Sequence, residues 1–452
     1  MTSMGYPALS RCSAVSYNNV PSPDNRRLMP SWYHDRIATP TLRPPPQGRR
    51  DASVVIVGGG FAGLNTAVGL AARGIRDVVL LEAKSIGYGA SGRNGGFVFA
   101  GYSLGERALL EKVGAERARA LYRRTVDAVD LIRERIAALS IDCDAVDAGV
   151  VWANWFRDGD VLRSRQRLLA ERYDTDWQWI PADAMHEFVR SARYHDGLYE
   201  RNALHIDPLA YARGLAHAAE KAGVAIHEGS RVRMLERRGP RWILRVGDAE
   251  IEAPNVVLAC GGYLAGLDRR IDRAVLPIAT YVMVTEPLGE RLAECLRTRA
   301  AIYDTRFAFD YYRPLPDTRL LWGGRISIRD RSPRAVQRLL KRDMLRVFPA
   351  LKDARVEHAW SGLMSYARHE MPQVGTHGNG LWYAQAFGGH GLAPTCAAGE
   401  ALADAIAAGE PALDAYAGFG LEPVHRPFGY LAAQGTYWKH ELRDWFKSRL
   451  EG

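Results

Sequence analysis

Lysine is nearly absent from this 452-residue chain: of its 60 basic residues only seven are Lys, which leaves 53 Arg. These are scattered, with no dense basic run, so the net charge of +9 lacks the concentrated footprint of a nucleic-acid-binding arm and no nucleic-acid partner is expected. A basic field still favours an acidic substrate. Cysteine is scarce too. Cys12, Cys143, Cys260, Cys295 and Cys396 are far apart and form no C-x-x-C pair, which argues against a disulfide framework or a metal site and for a reducing, cytoplasmic setting. No run of 18 apolar residues predicts a spanning helix, and the first 30 residues lack the apolar core of a secretory signal. Arg49-Arg50 lies too deep, and too directly before a strand, to read as a twin-arginine signal. No internal repeat is visible. With 47% hydrophobic and 25% charged residues, the chain excludes general disorder and has length for about three domain-sized units.

Residues 1–50, rich in Pro, Ser, Asn and Arg and ending in Arg43-Pro44-Pro45-Pro46, read as an extended arm in which Trp32 and Tyr33 are candidate anchors. Ser53-Val54-Val55-Ile56-Val57 then reads as a strand buried on both faces. A glycine turn, a helix from Leu64 to Arg73 closed by Gly74, and a second apolar strand from Val78 to Leu81 complete a βαβ unit. Helical spacing recurs over 104–139, 161–173, 207–222 and 333–347. Short strands are expected over 231–238, 242–246 and 249–253, a buried strand over 255–259, and a β-rich stretch over 276–286, 307–313, 319–325 and 355–361. A last apolar strand, 381–387, precedes an Ala-rich helix over 393–408 and an aromatic helical tail over 425–450. The predicted class is α/β: a Rossmann-like domain fed from both ends of the chain, with an inserted β-sheet module. The expected division is an arm (1–50), a cofactor domain (51–150, 205–270, 369–424), a substrate domain (151–204, 271–368) and a C-terminal helix (425–452).

Gly58-x-Gly60-x-x-Gly63 follows a strand and opens a helix. The first glycine allows a tight turn, the second lets the backbone approach a pyrophosphate, and the third lets helix and strand pack closely. The helix N-terminus offers unpaired N–H groups to phosphates. Glu82, at the end of the next strand, can accept from ribose hydroxyls and would repel a 2′-phosphate, so NADP is disfavoured. The loop alone does not separate FAD from NAD. A second glycine-rich segment, Gly87 to Gly96, has backbone that can lie flat on a large planar ligand.

Val54 to Gly63, Glu82, Gly89-Ala90-Ser91-Gly92-Arg93-Asn94-Gly95-Gly96 and Gly388-Gly389-His390-Gly391 resemble the FAD-dependent D-amino-acid-oxidase-like (DAO) superfamily. Asp310-Tyr311-Tyr312-Arg313, Leu320-Leu321-Trp322-Gly323-Gly324 and Met371-Pro372-Gln373-Val374-Gly375 look like its γ-glutamylputrescine oxidase branch. Pipecolate and sarcosine oxidases are more distant relatives. The resemblance covers about residues 50–450 and implies a glutathione-reductase-like FAD domain beside a β-sheet substrate domain. It implies FAD contacts at Gly58, Gly60, Phe61, Ala62, Gly63, Glu82, Ala83, Gly89, Ala90, Ser91, Arg93, Asn94, Gly95, Gly96, Val232, Ala259, Gly261, Gly388, Gly389, His390, Gly391 and Leu392. The stretch Gly362 to Tyr366 holds no Cys or His where sarcosine-oxidase relatives attach their flavin, so non-covalent FAD is expected. Two departures stand out: the arm before residue 50, and Leu392-Ala393-Pro394-Thr395 after His390, which puts the start of the last helix in doubt.

The implied reaction is hydride transfer from a small amine, a polyamine derivative or an imino or amino acid, to flavin N5. Oxygen is the expected acceptor, giving hydrogen peroxide. The substrate must lose its ammonium proton, and an aromatic, desolvated pocket promotes that. Tyr281, Phe307, Phe309, Tyr311, Tyr312, Trp322, Trp360 and Tyr366 supply aromatic material. Tyr312 and Trp360 are the pocket candidates, and alternation puts Phe307, Phe309 and Tyr311 on the face opposite Tyr312. Arg313, beside the tyrosine pair, leads Arg325, Arg93 and Arg368 as carboxylate partner. His390 is the candidate acid or base, the alternative being a backbone role. Three other readings remain open: a dehydrogenase with another acceptor, an RNA-acting enzyme of the same fold, and peripheral membrane contact through Trp438-Lys439 and Trp445-Phe446-Lys447. Monomer and homodimer are both compatible with the sequence.

Overall fold

A computed structural model describes residues 30–37, 41–328, 330–426 and 428–451. Expectations for residues 1–29, Cys12 among them, lie outside the described residues. Strand Val54–Val57 is buried at all four positions. It pairs in parallel with Asn255–Leu258 on one side and Val78–Leu81 on the other. Leu381–Gln385 and Ala225–His227 extend this sheet in parallel, and Gln373–Thr376 adds an antiparallel edge. Val54 and Ile56 face a helical layer, whereas Val55 and Val57 face Leu244, Ile251 and Ala253 of a small four-stranded sheet. Apolar cover on both faces explains why the strand shows no polar alternation.

The helical layer is built on Phe61–Ala72 and Leu392–Ala408. A Cβ on Gly399 would lie 2.5 Å from Asn65 Cβ, so the Ala-rich composition of the second helix is what lets the two axes approach. The helical stretch expected over 104–139 is two helices, Glu106–Val113 and Ala115–Ala138, broken at Gly114 with φ +80°.

An eight-stranded sheet stands opposite, in the order Val356–Tyr366, Leu276–Thr285, Leu320–Ser327, Asp310–Pro314, Ala301–Asp304, Val150–Ala153, Gly197–Glu200, Gln178–Ile180. It is antiparallel except for the central Ala301–Asp304 and Val150–Ala153 pair. Helix Pro333–Val347 covers one face through Val336, Leu340 and Met344. The strand expected over 307–313 begins only at Asp310, and residues 307 and 308 form a turn.

The arm is not simply extended. Trp32–Arg36 is a short helix, and Arg49–Asp51 is a strand paired in parallel with Ala249–Ala253. Between them, Arg43 bonds Glu220 at 2.6 Å and Glu228 at 3.1 Å. Tyr33 is 0% exposed. Its hydroxyl donates to the Asn94 carbonyl at 2.8 Å and its ring meets Trp360 edge-on at 5.7 Å. Truncating a fully buried aromatic ring costs about 3–5 kcal/mol, whereas losing one neutral hydrogen bond costs about 1 kcal/mol. Tyr33→Ala is therefore expected to lower the urea midpoint strongly and Tyr33→Phe slightly. Equal midpoints for wild type and Tyr33→Ala would show that the arm is not part of the folded body.

Candidate functional site

Between the parallel sheet and the eight-stranded sheet lies a cavity of about 1670 Å³. That exceeds the roughly 300–1,000 Å³ of a site for one small ligand. Gly58, Gly60, Glu82, Ala83, Val232, Ala259 and Gly261 wall one end, and Phe99, Arg165, Tyr303, Tyr366 and Gly388 to Leu392 wall the other.

The first end sits at the carboxyl edge of the parallel strands, where open α/β sheets take their ligands. Gly58 has φ +113°, and a Cβ there would lie 2.6 Å from the Ala259 carbonyl oxygen. A Cβ on Gly63 would lie 2.0 Å from the Gly58 oxygen, so this glycine serves helix–strand packing and stands behind the wall. Helix Phe61–Ala72 has no side-chain N-cap from Gly60. The Glu82 carboxylate accepts from the Gly59 and Lys84 amides at 2.7 and 2.8 Å. Burial pushes its pKa up, and those two amides oppose the shift. So held, Glu82 borders the cavity with lone pairs left for ribose hydroxyls.

In the second glycine segment two side chains hold the loop in place. Ser91 Oγ accepts from the Phe61 amide at 2.9 Å, clamping the loop to the first helix. Asn94 donates to the Ala90 and Ser91 carbonyls and accepts from the Gly96 amide, so it holds the loop in shape while bordering the cavity. Gly96 lies behind the wall, where a Cβ would come within 2.0 Å of the Ile206 oxygen. Gly89, Ala90, Arg93 and Gly95 line the cavity.

Three of the four expected catalytic residues are elsewhere. Tyr312 is 0% exposed and stacks on Trp322 at 4.4 Å, against Phe348 on the helix-covered face. Tyr311, its neighbour of opposite parity, lines the cavity with Phe307 and Phe309. Arg313 is buried under the glycine loop. It donates through Nε to the Gly95 carbonyl at 2.6 Å and through Nη2 to the Ile206 carbonyl at 2.8 Å. Its Nη1 is 3.2 Å from His205 Nδ1. Burial first, then Arg313, pushes the His205 pKa down to about 3, so the ring is neutral. Its Nε2 lies 2.8 Å from the Arg299 carbonyl and must donate there, which leaves Nδ1 to accept from Arg313. Trp360 Nε1 donates to the Arg93 carbonyl at 2.9 Å, and its ring lies under Tyr33. These groups support the loop from behind and are not among the residues that line the cavity. Of the other arginines, Arg325 borders the cavity but is ion-paired with Asp343 at 2.8 Å and with Glu441. Arg93 donates to the Ser361 carbonyl, and Arg368 is an exposed rim residue.

His390 does reach the wall, edge-on to Phe99 at 4.8 Å. Burial, and then the Arg165 charge, push its pKa down to about 4, so the imidazole is neutral at physiological pH. The following helix starts at Leu392 with Pro394 in its first turn and no side-chain cap. Its unpaired N–H groups present partial positive charge at this end.

What the sequence did not single out is the group facing that helix start. Phe99, Tyr303 and Trp152 stack in series at 5.6 and 5.4 Å. The Arg165 guanidinium lies 3.9 Å from the Trp152 ring centre and donates to Glu106 at 2.6 Å. Arg165 Nε has no hydrogen-bond partner among the described residues. Glu200, alongside, is pushed up to about 8 by burial and is therefore largely protonated at neutral pH. Trp152 fell within the tryptophan-rich stretch visible in the sequence. Arg165, one of 53 arginines, carried no signal.

These features fit FAD: a glycine cradle that a Cβ would fill, a ribose acceptor whose carboxylate would repel a 2′-phosphate, and a helix start at the opposite end. Cys260 borders the cavity near the glycine cradle, donating to the Val57 carbonyl and pushed up to about 12 by burial. Cys143, Cys295 and Cys396 do not border it. Among the described residues no cluster of His, Cys, Asp or Glu can hold a metal ion, and no helix is long and apolar enough to cross a membrane.

The comparisons agree with this reading. The solved glycine oxidase of Geobacillus kaustophilus superposes with a TM-score of 0.69 at 23% identity, over 82% of this chain and 99% of that one. Iminodiacetate oxidase of a Chelativorans species gives 0.64 at 18%, over 82% and 98%. In sequence, the chain is 33% identical over 357 residues to gamma-glutamylputrescine oxidoreductase of Escherichia coli, covering 77% of this chain and 82% of that protein. A probable oxidoreductase of Haemophilus influenzae is 30% identical over 377 residues, covering 82% and 86%. Residues 53–405 match the model of the DAO family, FAD dependent oxidoreductase. The chain belongs to that family of FAD-dependent oxidoreductases.

Proposed function

We propose that this enzyme oxidises the CH–NH or CH–NH2 bond of a small amine that also carries a carboxylate. The substrate gives up two electrons and two hydrogens, and the resulting imine is hydrolysed by water. Oxygen takes up the electrons and hydrogens as hydrogen peroxide. FAD, when bound, supplies the two-electron relay between substrate and oxygen. The observation that carries the reading is Arg165, a guanidinium that borders the aromatic end of the cavity, 26% exposed and ion-paired with Glu106. Amine and amino-acid oxidation by the named relatives supports it.

Arg165 provides a charged, fork-shaped partner for a carboxylate, and Glu106 and the Trp152 ring fix its orientation. Protonated Glu200 leaves that charge opposed by one acid only. Phe99, Tyr303 and Tyr366 exclude water. Their apolar surfaces, with the Arg165 charge, favour the neutral amine over the ammonium ion, as hydride loss requires. Neutral His390 can accept a hydrogen bond but, with a pKa of about 4, holds a proton poorly.

Charge-assisted hydrogen bonds are worth about 1.5–3 kcal/mol. Arg165→Gln should therefore raise KM for carboxylate-bearing amines about tenfold to a hundredfold and leave flavin content unchanged. Amines lacking the carboxylate should be affected little. An equal loss on both substrate types would remove Arg165 from carboxylate recognition.

The Glu200 charge state adds a pH test. Its folded-state pKa of about 8 stands above the ordinary carboxyl value. The fold therefore binds this proton more tightly than the unfolded chain, and the stability associated with it falls as pH rises from the ordinary carboxyl range through about 8. Glu200→Gln should raise the melting temperature most above pH 8 and least near pH 5. It should also abolish the rise in KM for carboxylate-bearing amines that Glu200 ionisation produces above pH 8. Parallel KM–pH profiles for wild type and Glu200→Gln would contradict the assignment.

A further inference from the structure

The C-terminal helix Phe428–Leu450 has two unlike faces. Its inner face is anchored on the body beside the cavity. Tyr437 and Asp444 are buried. Asp444 accepts from the Phe307 amide at 2.7 Å, His440 stacks on Phe307 at 4.4 Å, and Trp155 Nε1 donates to Ser448 at 3.0 Å. Ala432, Thr436 and Tyr437 form part of the cavity wall. On the outer face, Leu431, Trp438, Leu442 and Trp445 recur at intervals of seven, four and three and are 61%, 63%, 54% and 47% exposed, with Phe446 at 53% beside them. That spacing sets them along one side of the helix. A contiguous aromatic stripe left to water on a body this size calls for a partner.

Charge selects the partner. The acids of this helix, and Glu451 just after it, are bonded to the body: Glu441, 42% exposed, pairs with Arg325, Asp444 accepts from the Phe307 amide, and Glu451 accepts from the Arg157 amide. The cations flank the stripe. Lys439 has no acid partner among the described residues, Arg443 is 65% exposed although it reaches Asp444 at 3.3 Å, and the Arg449 guanidinium lies over the Trp445 ring at 4.3 Å. A second copy of this face would set Lys439, Arg443 and Arg449 against their own counterparts, while Glu441 and Asp444 are already paired. An anionic bilayer satisfies both halves of the pattern: Trp and Phe settle at the headgroup level, and Lys and Arg meet lipid phosphates.

We propose that this helix is an interfacial anchor that lays the enzyme on an anionic phospholipid bilayer, with the cavity wall directly behind it. The contact is independent of the reaction proposed above.

The test uses the flavin-loaded full chain, sedimented with phosphatidylcholine vesicles with and without phosphatidylglycerol. Binding is expected to the phosphatidylglycerol vesicles, with a blue shift of tryptophan emission and release by high salt. Lys439→Glu with Arg443→Glu should lower partitioning about tenfold or more. Trp438→Ala with Trp445→Ala should remove the blue shift. Both variants alter only exposed side chains, and retained flavin absorbance and melting temperature report that they fold. Three results would overturn the proposal: no sedimentation with phosphatidylglycerol, sedimentation unaffected by either variant, or a two-chain mass in solution that falls to one chain in the tryptophan variant. The last would assign the stripe to a second copy.

Discussion

The structure turns on one buried guanidinium. Arg313 extends from the eight-stranded sheet and donates to the Gly95 and Ile206 carbonyls and to His205. Tyr33 lies within 3.4 Å of it and donates in turn to Asn94. Four distant parts of the chain meet at this point: the arm, the glycine loop, the strand leading to helix Pro208–Lys221, and the eight-stranded sheet. A buried charge stays only where its donors are matched. Here the matching groups are largely backbone carbonyls, so the charge fixes main chain, and the main chain it fixes is the loop that lines the cavity.

From that point the rest of the site follows as layers of support. Trp360 holds the Arg93 carbonyl, Ser91 ties the loop to the first helix, and Asn94 braces the loop internally. The cavity surface is rich in glycine and aromatic faces, which suits a large planar cofactor. At one end Arg165 and Glu106, with Glu200 held protonated beside them, stand near the start of helix Leu392–Ala408. A flavoenzyme needs this division, because its cofactor must be gripped along its length while recognition of the substrate stays local.

The glycine turn, Glu82, the buried strands and the last helix were legible in the sequence because each is a local pattern with a local cause. The alternation that separates Tyr311 from Tyr312 was legible too. Which of the two faces meets the cavity was not, because that depends on helix Pro333–Val347 covering the Tyr312 side. Arg313 and Trp360 stand on the cavity side of the sheet, yet the arm and the glycine loop cover them, a long-range event no spacing reports. Arg165 was hidden for a related reason. It comes from a helix of unremarkable composition and meets Glu106 and Glu200 only through tertiary packing. Ser91 and Asn94 border the cavity, and their side chains also hold the loop, Ser91 through the first helix and Asn94 through the loop's own backbone.

The most direct measurement is the flavin-to-protein ratio of purified Arg313→Ala, together with its KM for amines with and without a carboxylate. If Arg313 is the clamp behind the loop, the variant loses flavin and melts at a lower temperature, and any residual activity is impaired alike on both substrate types. Full flavin content with a KM raised only for carboxylate-bearing amines would contradict this, and would return Arg313 to the substrate-binding role its position in the sequence suggested.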